Sequence, residues 1–198
     1  MAIKPLPTGN EPPKGYESLY TLPANNDVVR VRCTFISQLA SIELAEIEEL
    51  RTKALASISN IVGLANDTVS FERETNVIPG KSASDKMLFR AYKGNTLTGY
   101  ALVINGWPQQ GDWVIQHMLI DPDFRLQGVG TSIVTTIEEY ALTSEVDATS
   151  IYAIPIQESG TNFWSLQGYS VEAQRYAIQP RDSVYELQVY RKGLPTEE

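Results

Sequence analysis

Arg125, Gly128 and Gly130 form the pattern Arg-x-x-Gly-x-Gly directly after an apolar run from Trp113 to Ile120. Two glycines at such a junction let a backbone approach a bound group closely. The amides of a first helical turn, with the positive end of the helix dipole, suit a phosphate or pyrophosphate. The chemistry implied is an anion held by main-chain N–H groups. Two other phosphate loops do not fit. A P-loop needs four residues between its glycines and then Lys-Ser/Thr, and the dinucleotide fingerprint needs a glycine where Ile133 stands. His117, within the apolar run, is a second candidate, because imidazole changes charge near neutral pH.

The elements that must position these residues follow from patterning. Trp113 to Ile120 reads as a buried strand. Asp121-Pro122-Asp123 is turn chemistry. From Gly130, the apolar positions Ile133, Val134, Ile137, Tyr140 and Ala141 predict a helix. Ala148 to Ile156 is the next strand, so the helix is a crossover and the two strands should be parallel and central. Pro155 would waste a ladder position in a paired central strand. It is harmless if the strands have parted there, or if it marks the strand end.

The rest of the chain frames that unit. Val28 to Ile36 alternates as a strand. Ile47, Leu50, Ala54 and Ile58 predict an amphipathic helix from about Leu39 to Ile58, with Glu43, Glu46, Glu48 and Glu49 on its solvated face. Residues 59–85 are less regular: a short helix at Ile61 to Leu64, then Val69 to Val77 before a Pro79-Gly80 turn. Lys86 to Tyr92 and Leu97 to Ile104 form a hairpin about Lys93-Gly94-Asn95, and Asn105 to Gly111 makes a second turn. Thr161 to Gln167 is a short helix ended by Gly168. Tyr169 to Ile178 and Val184 to Arg191 close the chain as a hairpin about Gln179 to Asp182. The expected class is α/β, with a mixed sheet of the α+β kind: an antiparallel meander, a central parallel pair with a crossover helix, and a C-terminal hairpin. Residues 1–27 form a proline-rich arm (Pro5, Pro7, Pro12, Pro13, Pro23), either disordered or docked through Tyr16 to Leu22 on the domain or on a second subunit. Residues 28–193 form the domain, and 194–198 a tail.

Composition narrows the function. The chain of 198 residues suits one domain, and 42% hydrophobic with 20% charged residues is ordinary for a soluble globular protein. There is no run of 18 apolar residues and no apolar leader, so neither a membrane span nor a secretory signal is expected. The single Cys33 excludes an internal disulfide and agrees with a reducing cytoplasm. A net charge of −8 without clustered Lys and Arg argues against nucleic acid. It leaves solubility, or a mild preference for amine-bearing partners.

The run H-M-L-I-D-P-D-F-R-L-Q-G-V-G resembles the acetyl-CoA signature of the GCN5-related N-acetyltransferase (GNAT) superfamily. A second segment, Q-E-S-G-T-N-F-W-S-L-Q-G-Y from Gln157 to Tyr169, is similar to that family's second cofactor segment. Gln157 stands where Asn is usual, Gly160 where Ala is usual, and Trp164 where Tyr is usual. Gly168-Tyr169 fits as it stands. The resemblance implies that residues 28–193 are an acetyltransferase domain. It implies acetyl-CoA as co-substrate, a small-molecule or peptide amine as acceptor, no metal, and a dimer, as family members often are. The backbone amides of Leu126, Gln127, Gly128, Val129, Gly130 and Thr131 would hold the pyrophosphate. Main-chain groups of Leu119 and Ile120 would pair with pantetheine amides, and Gln157 and Trp164 would complete the cofactor site. The family's fourth and fifth strands splay, with the pantetheine arm in the gap.

The proton and the leaving group remain. The family often takes its base from the fourth strand, but Val114 and Gln116 cannot serve. His117 is then the base or part of a proton relay, or else a strand histidine bonded in the core. Glu72 and Glu74 are rival bases, or solvated loop carboxylates. Arg125 is a phosphate partner or a solvated turn residue. Trp164 cannot act as an acid near neutral pH. It either lowers turnover or only packs. Two functions follow: an active N-acetyltransferase, or an acyl-CoA-binding sensor that no longer catalyses.

Overall fold

The computed structural model describes residues 16–22, 27–57, 71, 86–144, 148–155, 161–178 and 185–195. The expected helix at Ile61 to Leu64, all of Val69 to Val77 except Phe71, and the turns at Pro79-Gly80 and Gln179 to Asp182 lie outside them. The elements in chain order are β1 (Tyr16–Thr21), β2 (Val28–Phe35), α1 (Ser41–Ala56), β3 (Lys86–Lys93), β4 (Thr96–Asn105), β5 (Asp112–Ile120), α2 (Val129–Thr143), β6 (Ser150–Ala153), α3 (Thr161–Leu166), β7 (Ser170–Ile178) and β8 (Tyr185–Gly193).

One sheet runs β1-β2-β3-β4-β5-β6-β8-β7. The pair β5/β6 is parallel and every other ladder is antiparallel. The expected meander, parallel pair and closing hairpin are all present, and the last strand inserts between β6 and β7. The meander also starts earlier than Val28, because Tyr16–Thr21 pairs along β2 as an edge strand. The strand after α2 is shorter than read: its ladder ends at Ala153, so Pro155 lies past it and takes no ladder position.

The sheet is covered on both faces, which is why β3 and β4 read as near-continuous apolar runs rather than alternating ones. On one face α2 brings Ile133, Val134, Ile137 and Tyr140 against Val31, Phe89, Val103, Trp113 and Ile115. On the other, α1 brings Ile47, Leu50 and Ala54 against Leu88, Tyr100, Leu102 and Leu119. Cys33 is buried in the α2-side core. Burial pushes its thiol up, with Arg90 only partly offsetting, so it behaves as an inert core residue.

Arg90 is buried on the α1 side. Its Nη1 donates to Glu43 at 2.6 Å and its Nη2 to Thr34 Oγ1 at 3.0 Å. Glu43 also accepts from the Ala40 amide at 2.8 Å, capping α1. Burial alone would raise the Glu43 carboxyl, but the Ala40 amide and the Arg90 guanidinium outweigh it and hold it below its ordinary 4.5. A depressed carboxyl contributes stability that is complete above 4.5 and lost as pH falls through the folded value. Glu43→Gln is therefore expected to cost about 1–2 kcal/mol at pH 7, roughly 2–4 °C per kcal/mol for a chain of this size. Its melting temperature should fall less steeply than that of the wild type between pH 5 and 3. Parallel curves in a thermal melt series would refute this account of α1.

Candidate active site

β5 and β6 pair only from Asp112–Ile115 to Ser150–Ala153. β5 then continues to Ile120 while β6 has ended, so the two strands form a fork. At its vertex, Leu102 faces His117 and Val103 faces Ile115, leaving Gln116 as an extra residue in a β-bulge.

Which main-chain groups face the fork follows from the ladder. The Asp121 amide donates to the Thr98 carbonyl at 2.9 Å. Peptide groups alternate sides with a period of two, so those of Leu119 are also turned toward β4. Those of Met118 and Ile120 are turned the other way, into the fork. The expectation paired Leu119 with Ile120. The geometry separates them, and Met118 takes the place of Leu119. The Ile120 carbonyl already accepts from Arg125 Nε at 3.3 Å, so its amide is the group that remains.

The loop after β5 is tied down by its own side chains. Asp121 Oδ1 accepts from the Asp123 amide at 2.9 Å, as turn chemistry predicts. Lys53, from the last turn of α1, bridges Asp121 and Asp123 at 2.8 and 2.7 Å. Arg125 Nη2 donates to Ser57 Oγ at 2.7 Å. Arg125 thus braces the loop against α1, and its side chain is still exposed. Gln127 Nε2 donates to the Asp123 carbonyl at 2.8 Å.

Leu126, with φ +58°, and Gly128, with φ +89°, curl the chain into α2. The first intrahelical bond runs from the Ser132 amide to the Gly128 carbonyl. The amides of Val129, Gly130 and Thr131 therefore have no acceptor within the helix. No acidic residue stands in that first turn. A Cβ on Gly130 would lie 3.3 Å from the Phe163 ring and 3.8 Å from Met118 Cε. The start of α2, the free part of β5 and the side chain of Phe163 on α3 thus converge. Gln167, just past α3, reaches Thr131 Oγ1 at 3.3 Å. Open amides, a strand open on one side and an acid-free helix start fit a pyrophosphate with an extended amide-bearing arm.

The N-terminal strand supports this loop. A Cβ on Gly128 would lie 3.0 Å from Leu22 Cδ2, and Leu22 is buried there. The Leu22 amide donates to the Asp27 carbonyl, Asp27 pairs with Lys93, and Lys93 Nζ lies 3.5 Å from Gln127 Oε1. Tyr20 donates to Glu139 at 2.8 Å and accepts from Thr136 at 3.1 Å, both on α2.

His117 shares the α1-side face with Leu102 and is half-buried. Glu72, Glu74 and Gln157 lie outside the described residues. Phe71 packs edge-on against Tyr100 at 5.7 Å, and its amide donates to Glu48 at 3.0 Å. Phe71 thus lies on the face that carries His117. Trp164 is buried, edge-to-face with Phe163 and with Tyr169, each at 5.1 Å. Burial, with the Glu138 carboxylate adding to it, pushes the Tyr169 phenol far up, so it is no acid near neutral pH. Met118, Phe163 and Leu22 were not read from sequence. Alternation along β5 pointed to Met118 once its pairing was known. Phe163 lay within the second cofactor segment and Leu22 within the docking stretch Tyr16 to Leu22, but neither pattern named its contact.

Gly128→Val forces a β-branched residue to positive φ beside Leu22, and should cost about 1–3 kcal/mol of stability before any ligand is considered. Gly130→Val keeps an ordinary helical φ and sets its side chain against the Phe163 ring and Met118 Cε, over its own amides. It should keep a cooperative melt near that of the wild type and weaken coenzyme A binding at least about tenfold. Unchanged calorimetric affinity would remove α2 from the site.

Among the described residues no helix is long and apolar enough to cross a membrane. No group of three or more His, Cys, Asp or Glu among them could hold a metal ion. No curated protein sequence matches the chain. Solved structures that resemble it share its fold at low identity. The GNAT domain of S. lividans PAT has a TM-score of 0.66 at 12% identity, covering 93% of this chain and 100% of that one. An N-acetyltransferase from Staphylococcus aureus Mu50 has 0.61 at 15%, covering 84% and 99%. The PaiA N-acetyltransferase from Thermoplasma acidophilum, in complex with coenzyme A, has 0.57 at 13%, covering 80% and 97%. The family model for GNAT acetyltransferases matches residues 55–169, which hold the fork, the loop and α3 and make up more than half of the chain. The chain belongs to the GNAT acetyltransferase family.

Proposed function

We propose that the protein is an acetyl-CoA-dependent N-acetyltransferase that acylates a primary amine of a small molecule or peptide. The observation that carries this reading is the fork, whose unpaired strand leads straight into the open amides of α2. Acetyl-CoA, when bound, supplies an activated acyl thioester. The amides of Val129, Gly130 and Thr131 hold its pyrophosphate, and the main chain of Met118 and Ile120 holds its pantetheine amides. An N–H on β5 facing the fork polarises the thioester carbonyl. Coenzyme A is polyanionic and the chain carries a net charge of −8, so the acid-free first turn of α2 supports the reading by keeping like charge away from the phosphates.

The acceptor is the harder half. An amine of pKa ~10.4 is free base in only about one part in a thousand at pH 7, so proton removal is the larger need. His117 takes that proton, directly or through water, from the α1 side of β5. Glu72 and Glu74 are the rivals. The leaving thiolate needs less help. A thiol of pKa ~8.5 lies about 1.5 units above neutral pH, roughly 2 kcal/mol, so the absence of a phenol at position 164 is tolerable. The −8 charge favours a cationic acceptor such as a polyamine or aminosugar. The second reading, an acyl-CoA-binding protein without turnover, draws on Trp164, on Val114 and Gln116 standing where the family often has a carboxylate, and on the proline-rich arm.

Calorimetric titration with acetyl-CoA, with CoA and ADP as controls, tests the first half. Micromolar affinity that depends on the pyrophosphate is expected, and no binding by folded protein refutes it. An amine panel then separates the enzyme from the binder. With the best amine, His117→Ala should lower kcat at least about 10²-fold and leave coenzyme A affinity unchanged. Full activity per folded molecule would pass the proton to another group.

A further inference from the structure

Gln116 marks the point where β5 loses a neighbour. Ile115 is paired on both sides, with Val103 and with Ala153. His117 is paired only with Leu102. Between them Gln116 has no ladder partner, and its side-chain oxygen is buried without a hydrogen bond. A buried amide oxygen left unpaired is unfavourable, and native chains keep few of them.

Five other buried polar atoms of this kind have local explanations. Arg30 Nε and Arg90 Nε belong to guanidinium groups whose other nitrogens are bonded. Tyr169 Oη and Glu138 Oε1 belong to one cluster, in which Glu138 is already paired with Lys192. Trp113 Nε1 sits on an indole closed in by the core about Tyr140. Gln116 differs in its place, at the vertex of the fork. Counting back from Ile120, it lies about 13 Å along the strand, at ~3.3 Å per residue. An extended ligand anchored by its anionic end at α2 and running back along β5 would reach this residue.

We propose that the Gln116 carboxamide oxygen accepts a hydrogen bond from an N–H group of a ligand seated in the fork. That group is either the attacking amine or a pantetheine amide of the acyl donor. The inference rests on the acetyl-transfer reading above and adds a recognition residue to it. A carboxamide takes no proton at neutral pH, so its part is to orient the N–H, and proton removal stays with another group.

Gln116→Leu keeps the side-chain volume and removes the oxygen. A residue that serves only the fold would lose stability on that change. An oxygen waiting for a ligand gives the opposite signature: melting temperature equal to or above the wild type, with weaker ligand binding. Calorimetry with CoA, and KM for the amine that the wild type turns over fastest, separate the two sources. A tenfold weaker CoA assigns the pantetheine amide. Unchanged CoA with a tenfold higher amine KM assigns the amine. If the wild type binds CoA but turns over no amine, the CoA arm alone decides. Unchanged values in the arms measured overturn the inference, and so does a lower melting temperature. A wild type that binds no CoA instead overturns the acetyl-transfer reading beneath it.

Discussion

The structure depends on where one parallel ladder stops. Main-chain N–H and C=O groups must be paired or solvated, and a strand that outruns its neighbour leaves a row of them open. Here β6 ends at Ala153 while β5 continues to Ile120, so the open row lies inside the sheet and not at its edge. An internal open row is a poor site for aggregation and a good one for a ligand with its own amides. Pro155, just past the end of β6, cannot extend the ladder by an N–H bond of its own.

Everything around the fork serves to hold it open and aimed. Helix α2 is packed along the sheet through Ile133, Val134 and Ile137, which presents its first turn at the end of β5. The intervening loop is short, and it is clamped to α1 by Lys53 and Arg125 and to the N-terminal strand through Leu22 and Lys93. These clamps join parts of the chain far apart in sequence. A substitution in α1 or at Leu22 can therefore reach the start of α2.

The charge of the protein shows the same division between local and global. A net −8 opposes a polyanionic ligand at long range, but screening confines that field to about 8–10 Å at physiological salt. Within that distance the start of α2 offers helix amides and a first turn without acids. The acidic residues nearest the loop, Asp121 and Asp123, are both occupied by Lys53.

From Val28 on, and among the described residues, sequence alone pointed to the order of elements, the crossover helix and the glycine turn that opens it. Each of these depends on local rules: apolar period, turn residues, and glycines that free a helix start. Gly128 and Gly130 were legible because their spacing has one physical use. The partners on the far sides of the elements were not. That Tyr16–Thr21 pairs with β2, that Phe163 lies over Gly130, and that Leu22 rests on Gly128 are contacts between segments distant in sequence, and no local pattern encodes them. The same holds for the bulge at Gln116. A slip of one residue exchanges the two sets of peptide groups along a strand, so whether Leu119 or Met118 faces the fork was decided only when β4 set the register.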